Sequence, residues 1–160
     1  MLKRYGRSAA HRARSAERDI AMDGSPLALI VDDDEPTARL IGREVRAHCE
    51  TAIAYDGLEG LDLALKVRPT LVITDVCMPH LDGISMVRRI LASSASPDLR
   101  ILFMTGDSDT GWRLGAWREL GSRFLLKPLS LDRLHEEVRR ALVPGFSWPH
   151  SRSSVRARGT

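Results

Sequence analysis

The sequence predicts an α/β fold in which a parallel β-sheet is covered by helices on both faces. Two observations carry the expectation. Between Leu27 and Leu142, short apolar runs of β character alternate with amphipathic stretches whose apolar residues recur three, four or seven positions apart. The apolar runs are near-continuous rather than alternating, as expected of strands buried on both faces.

The strand candidates, in order, are LALIV at 27–31, TAIAY at 51–55, LVIT at 71–74, RILFMT at 100–105 and RFLL at 123–126. The first helix is placed by Leu40, Ile41 and Val45, the second by Leu58, Leu61 and Leu65, the third by Ile84, Val87 and Leu91; these stripes are the candidate core. A fourth helix, over roughly 110–120, is weakened by Gly111 and Gly115, each costing about 1 kcal/mol relative to Ala in a helix interior. The last helix opens with Ser130 as N-cap after Lys127-Pro128, carries Leu131, Leu134, Val138 and Leu142 along one side, and stops at Pro144-Gly145. Five βα units with right-handed crossovers make a doubly wound sheet, and ligands of such sheets sit at the carboxyl ends of the strands.

The chain has 160 residues, room for one ordinary domain with flanking segments. A 43% hydrophobic and 28% charged composition is that of a globular protein, and no run approaches the roughly 20 apolar residues that span a bilayer. Cys49 and Cys77 lack metal-type spacing and read as neither a disulfide framework nor a zinc site, which fits a reducing, cytoplasmic setting. The formal charge of +3 is uneven. Residues 1–25 hold six Lys/Arg against three acids and residues 144–160 three Arg and no acid, which leaves 15 bases against 18 acids between them. The expected organisation is a basic, disordered extension over 1–25, a domain over 26–143 and a basic tail over 144–160. The extension lacks the apolar stretch of a secretory signal, and Met22 is a second candidate start. The tail has too few apolar residues to pack an output domain, and cannot hold a helix-turn-helix for DNA.

The candidate site lies at the strand ends. Val31 is followed by Asp32, Asp33, Asp34 and Glu35, either a solvated helix start or a site for a hard cation, since Mg²⁺ takes oxygen ligands. Taken alone, the run favours the turn. Asp75 ends the third strand at the same edge, however, and two acidic strand ends meeting over a sheet edge call for an ion. Thr105 ends the fourth strand and Lys127 the fifth. Singly, these are a turn hydroxyl and a surface charge; four polar ends on one rim make a constellation.

The runs VDDDEP, VITDVCMPHLDG, MTGD and FLLKP resemble the successive signatures of bacterial two-component response regulators, in particular the single-domain, chemotaxis-regulator-like receiver domain, over about residues 27–143. The resemblance implies a flavodoxin-like sheet of strand order 2-1-3-4-5. It implies that Asp75 is the phospho-acceptor, that Asp32 and Asp33 handle Mg²⁺ with Asp75 and the Cys77 backbone carbonyl, that Thr105 is the switch hydroxyl, and that Lys127 binds the phosphoryl group. The chemistry agrees with those residue types. A carboxylate attacks phosphorus poorly unless a metal ion and a cation screen the anionic donor, and the transfer is mostly positioning and charge stabilisation. With three consecutive aspartates, the acidic pair is Asp32 and Asp33 or, one register on, Asp33 and Asp34; the first pair directly follows the apolar strand.

Two departures stand out. Phe124 occupies the position where many members carry Tyr, so aromatic switching here lacks a phenolic hydroxyl. The segment GDSDTGWRLGAWRELG, with Trp112 and Trp117, resembles the family only loosely. The tryptophans read as core packing or as a partner surface. His80 and the side chain of Cys77 read as ordinary loop residues, and Gly83 as relief of a backbone constraint. The implied partners are a sensor histidine kinase or histidine phosphotransfer protein, and a downstream protein or second copy docking on the fourth helix, fifth strand and fifth helix. The expected protein is a signalling switch that catalyses its own phosphorylation and slow dephosphorylation rather than an enzyme of metabolism. The rivals are a phosphorylation-independent interaction scaffold, which would be expected to have lost some of Asp32, Asp33, Asp75, Thr105 or Lys127, and an Asp-nucleophile phosphatase, for which no second acid or substrate cap is evident.

Overall fold

The computed structural model describes residues 25–93, 98–106, 115 and 119–145. Its elements are β1 (Leu27–Val31), α1 (Glu35–Val45), β2 (Glu50–Ala54), α2 (Gly57–Val67), β3 (Leu71–Asp75), α3 (Gly83–Ala92), β4 (Arg100–Thr105), β5 (Ser122–Leu126) and α4 (Leu131–Leu142). The five strands form one sheet in the order β2-β1-β3-β4-β5, and every pairing is parallel. Of the expected fourth helix, Gly115, Glu119 and Leu120 are described and helical; the rest of it, both of its tryptophans, residues 1–24 and residues 146–160 lie outside the described residues.

Strand parity divides the core. Ala28, Ile30, Leu71, Ile73, Leu102 and Met104 point to one face and are covered by α1 and α4. Leu29, Val31, Val72, Ile101 and Phe103 point to the other and are covered by α2 and α3. The central strands β1 and β3 are buried along their whole length, whereas β2 and β5 at the edges are partly exposed. Fully burying a side chain such as Ile30 or Phe103 stabilises by roughly 1.5–3 kcal/mol. Caps set the helix starts: Asp34, Asp56, Asp82 and Ser130 each accept a backbone N–H from the first turn of α1, α2, α3 and α4. Ser130 is the cap expected from the sequence, and α4 ends at Leu142 before Pro144-Gly145.

The helix stripes need correction. Leu40, Leu58 and Leu65 are 40%, 51% and 40% exposed. The sheet-facing side of α2 is instead Gly57, Gly60, Leu63 and Ala64. A Cβ on Gly60 would lie 2.7 Å from Met86 Sδ and 3.0 Å from both Val31 Cγ atoms, so the small residues let α2 approach closely; Leu58 and Leu65 are turned outward, while Leu61 packs against the edge of the core. Beta-strand limits also shift: β2 runs 50–54 rather than 51–55, and β3 includes Asp75, whose register partner is Met104.

On the α1/α4 side, a buried carboxylate ties the edge strand to α4. Glu137, 3% exposed, pairs with Arg123: Nη2 donates to Oε1 at 2.8 Å, and Nε lies 2.7 Å from Oε2 as an ion pair without hydrogen-bond geometry. Nearby, His48 Nε2 lies 2.8 Å from His135 Nδ1, the rings meeting edge to face. Burial, then the His135 and Arg139 charges, hold the His48 imidazole below its ordinary value of 6.5. A base depressed in this way binds protons more readily when unfolded, so its contribution is fully present above pH 6.5 and is lost as the pH falls from there through the folded-state value. Among the described residues, His135 and Arg139 on α4 are the charges that act on it, and Glu44 on α1, itself paired with Arg43, holds the far side of His135. The urea midpoint should therefore drop on acidification below pH 6.5, and less steeply in His48→Gln. An identical pH profile in the variant would contradict this assignment.

Candidate functional site

Parallel register brings the polar strand ends together. Val31 pairs with Thr74, so Asp32 emerges from β1 beside Asp75 at the end of β3. Thr105 closes β4 and pairs with Leu126, and the Lys127 backbone N–H donates to the Thr105 carbonyl at 2.8 Å. Lys127 then folds back over the edge. Its Nζ lies 2.9 Å from Asp75 Oδ1 and 3.0 Å from Asp32 Oδ2. Asp32, Asp75 and Thr105 are buried, and Lys127 keeps about a third of its side chain open to solvent. The Lys127-Pro128 peptide bond is cis.

Among the described residues, Asp32, Asp33 and Asp75 form the single group of three with ligand atoms close enough for one cation, their carboxylate oxygens within 4.8 Å of one another. Asp34 does something else. It caps α1, accepting from the Thr37 backbone N–H at 3.1 Å and from the Thr37 hydroxyl, which holds its carboxyl below the ordinary range. Asp32 Oδ1 accepts from the Asp34 N–H at 3.0 Å, so the cap also orients Asp32.

The electrostatics are unbalanced. Burial pushes the Asp75 carboxyl up, the charges of Asp32 and Asp33 add to it, and together they outweigh the Lys127 hydrogen bond and charge. Burial works against the Lys127 ammonium, but its hydrogen bonds to Asp75 and Asp32 and their charges prevail and hold it above its ordinary range. Three carboxylates against one ammonium leave excess negative charge in a partly buried pocket. That donor set, all oxygen and all anionic, fits a small hard divalent cation.

Backbone packing fixes Asp75 from behind. A Cβ on Gly83 would lie 2.1 Å from the Asp75 carbonyl oxygen, which also accepts from the Thr74 hydroxyl at 2.9 Å. The constraint Gly83 relieves is thus a close approach to Asp75. His80 is exposed in the intervening loop with φ 66°, a left-handed backbone that favours glycine. Cys77 is exposed, while Cys49 is half-buried and burial raises its thiol to about 11. Phe124 is partly buried and stacked on Phe103, centroids 5.3 Å apart, so its ring already lies against the core. Sequence reasoning missed Glu137 and the His48–His135 contact; both depend on residues remote in the chain.

The family follows. A model of the response regulator receiver domain matches residues 28–139, and the chain belongs to that family. It is a receiver domain of two-component signalling, a signalling switch with the five-stranded flavodoxin-like sheet. It is 33% identical over 115 residues to the response regulator MprA of Mycobacterium sp. (strain KMS), covering 71% of this chain and 49% of that protein. It is 28% identical over 113 residues to hybrid signal transduction histidine kinase D of Dictyostelium discoideum, covering 71% of this chain and 7% of that one. The chain therefore spans at most about half the length of these curated relatives. Among solved structures, the Vibrio cholerae chemotaxis protein CheY4 matches with a TM-score of 0.67 at 27% identity, covering 73% of this chain and 98% of that chain. The receiver domain of Francisella response regulator 1452 matches with a TM-score of 0.64 at 29% identity, covering 72% and 95%. Receiver domains bind Mg²⁺ at an aspartate cluster and interact with histidine kinases or phosphotransfer proteins, and this chain carries such a cluster. No helix among the described residues is long and apolar enough to cross a membrane.

Proposed function

We propose that the domain over 26–143 accepts a phosphoryl group on Asp75 from a sensor histidine kinase or histidine phosphotransfer protein. The observation that carries the reading is the placement of Lys127 Nζ within 3.0 Å of both Asp75 and Asp32 at a rim shared with Asp33. Asp32, Asp33, Asp75 and the Cys77 carbonyl would hold Mg²⁺, which supplies positive charge against the incoming phosphoryl oxygens. An Asp75 oxygen attacks phosphorus; the new P–O bond forms as the P–N bond to the donor histidine breaks, and that electron pair stays with the imidazole. Lys127 stabilises the charge on the transferred group, and the Thr105 hydroxyl donates to one of its oxygens. Slow attack of water on the acyl phosphate returns Asp75 to its starting state.

Output runs from Thr105 through Phe124 to the face of β5 and α4, where a downstream protein or a second copy docks. Because Phe124 is already stacked on Phe103, the switch is a change in that stack rather than insertion of an outward ring. Incubation with a small acyl phosphate or phosphoramidate tests the reading: uptake of one phosphoryl equivalent should require Mg²⁺. In the same preparation, Mg²⁺ should raise the melting temperature of wild type by binding the native state alone, and Asp33→Ala should remove most of the shift. Metal-independent uptake, or an unchanged shift in Asp33→Ala, would contradict the metal assignment.

A further inference from the structure

Away from the acidic rim, two imidazoles and a carboxylate converge from separate stretches of chain: His48 in the turn before β2, His135 on α4, and Glu44 near the end of α1. His48 Nε2 faces His135 Nδ1 at 2.8 Å, and His135 Nε2 lies 3.3 Å from Glu44 Oε2. A carboxylate only accepts, so His135 donates its Nε2–H to Glu44 and keeps a lone pair on Nδ1. That lone pair points at His48. When His48 carries its proton on Nε2, the pair is an N–H···N hydrogen bond. When the proton moves to Nδ1, two lone pairs face one space.

We infer that His48 and His135 form a site for a borderline divalent transition-metal ion such as Zn²⁺, separate from the carboxylate pocket. His48 Nε2 and His135 Nδ1 are the protein ligands and water fills the remaining positions. Two imidazole nitrogens on a tetrahedral zinc stand about 3.3 Å apart, given bonds of roughly 2.0–2.1 Å. The pair must open by about half an ångström, which two half-exposed side chains on a turn and a helix surface can provide. Glu44 on the far nitrogen of His135 is the arrangement that fixes the tautomer of a metal-binding histidine and raises its basicity. Arg43 shares Glu44 at 3.0 Å, and the Arg139 charge opposes the cation, so the site is of modest affinity. Imidazole selects zinc, copper or nickel over magnesium, so the two sites take different ions. Bound metal would staple the end of α1 to α4 across the core they share.

Calorimetric titration of the full chain with zinc chloride, at neutral pH in excess Mg²⁺ to occupy the carboxylates, tests the inference. His48→Gln and His135→Gln should each weaken zinc binding at least roughly tenfold, and Glu44→Gln by roughly 10–100-fold. His80→Gln, which removes an exposed loop imidazole, should leave it unchanged. Circular dichroism reports whether each variant folds, and the imidazole C–H signals of wild type provide a readout that needs no variant. His48 and His135 signals should shift with zinc before that of His80 does. Equal affinity in wild type and both histidine variants, or wild-type signals of His48 and His135 that zinc does not move, would overturn the site.

Discussion

Lys127→Ala should slow phosphoryl uptake from a small acyl phosphate by roughly 10²–10³-fold, the usual effect of removing one preorganised charge-stabilising donor from a reacting centre. Lys127 contacts Asp75 and Asp32 together, and both carboxylates are buried. Without it, the Asp75 carboxyl, already raised by burial and by Asp32 and Asp33, loses the hydrogen bond and charge that oppose the rise. The phosphoryl group loses its fixed cation as well. Lys127→Arg should recover only part of the rate, because a planar fork replaces a compact ammonium at a site shaped for a point charge. The side chain is 30% exposed and outside the apolar core, so the variant should still fold. Rates compared by intact mass over time decide the matter; a loss smaller than about tenfold would remove Lys127 from the role.

Gly83→Ala should be the most damaging small substitution near the site. Its Cβ would lie 2.1 Å from the Asp75 carbonyl oxygen and 3.1 Å from both the Asp75 carbonyl carbon and Thr74 Oγ1. Backbone blocks it, so either α3 or the end of β3 must move. Overpacking of this kind costs roughly 1–3 kcal/mol, which lowers the Tm of a domain this size by roughly 5–15 °C. Displacing Asp75 should also slow its phosphorylation. Gly115→Ala is the matched control, because an added Cβ there meets nothing within 4 Å and its Tm should hold or rise. Equal melting temperatures for Gly83→Ala and wild type would show that the close approach is not limiting.

The sheet was legible because five apolar runs separated by amphipathic stretches admit few arrangements, and parallel strands with helical crossovers place all carboxyl ends on one edge. The convergence of Asp32, Asp75 and Lys127 followed from that topology, since each ends or directly follows a strand. The faces of the helices were less legible. In α2 the set Gly57, Gly60 and Ala64 has the same spacing as Leu58, Leu61 and Leu65, one residue out of phase. Periodicity cannot rank two such stripes, and side-chain size favours the leucines; the close packing against Val31 and Met86 decides for the glycines. Asp34 shows the converse. Its role as a cap was latent in the position before Glu35 and Pro36, yet three identical residues in a row hide which one turns back to the helix. His48 with His135, and Arg123 with Glu137, pair side chains 87 and 14 residues apart, and no local pattern marks either pair.

Asp75 is the centre of the proposed phosphoryl chemistry. Intact-mass analysis of wild type and Asp75→Asn, after incubation with a small phosphoramidate and Mg²⁺, should give one labile phosphoryl equivalent on wild type and none on the variant; a full equivalent on Asp75→Asn would contradict the assignment.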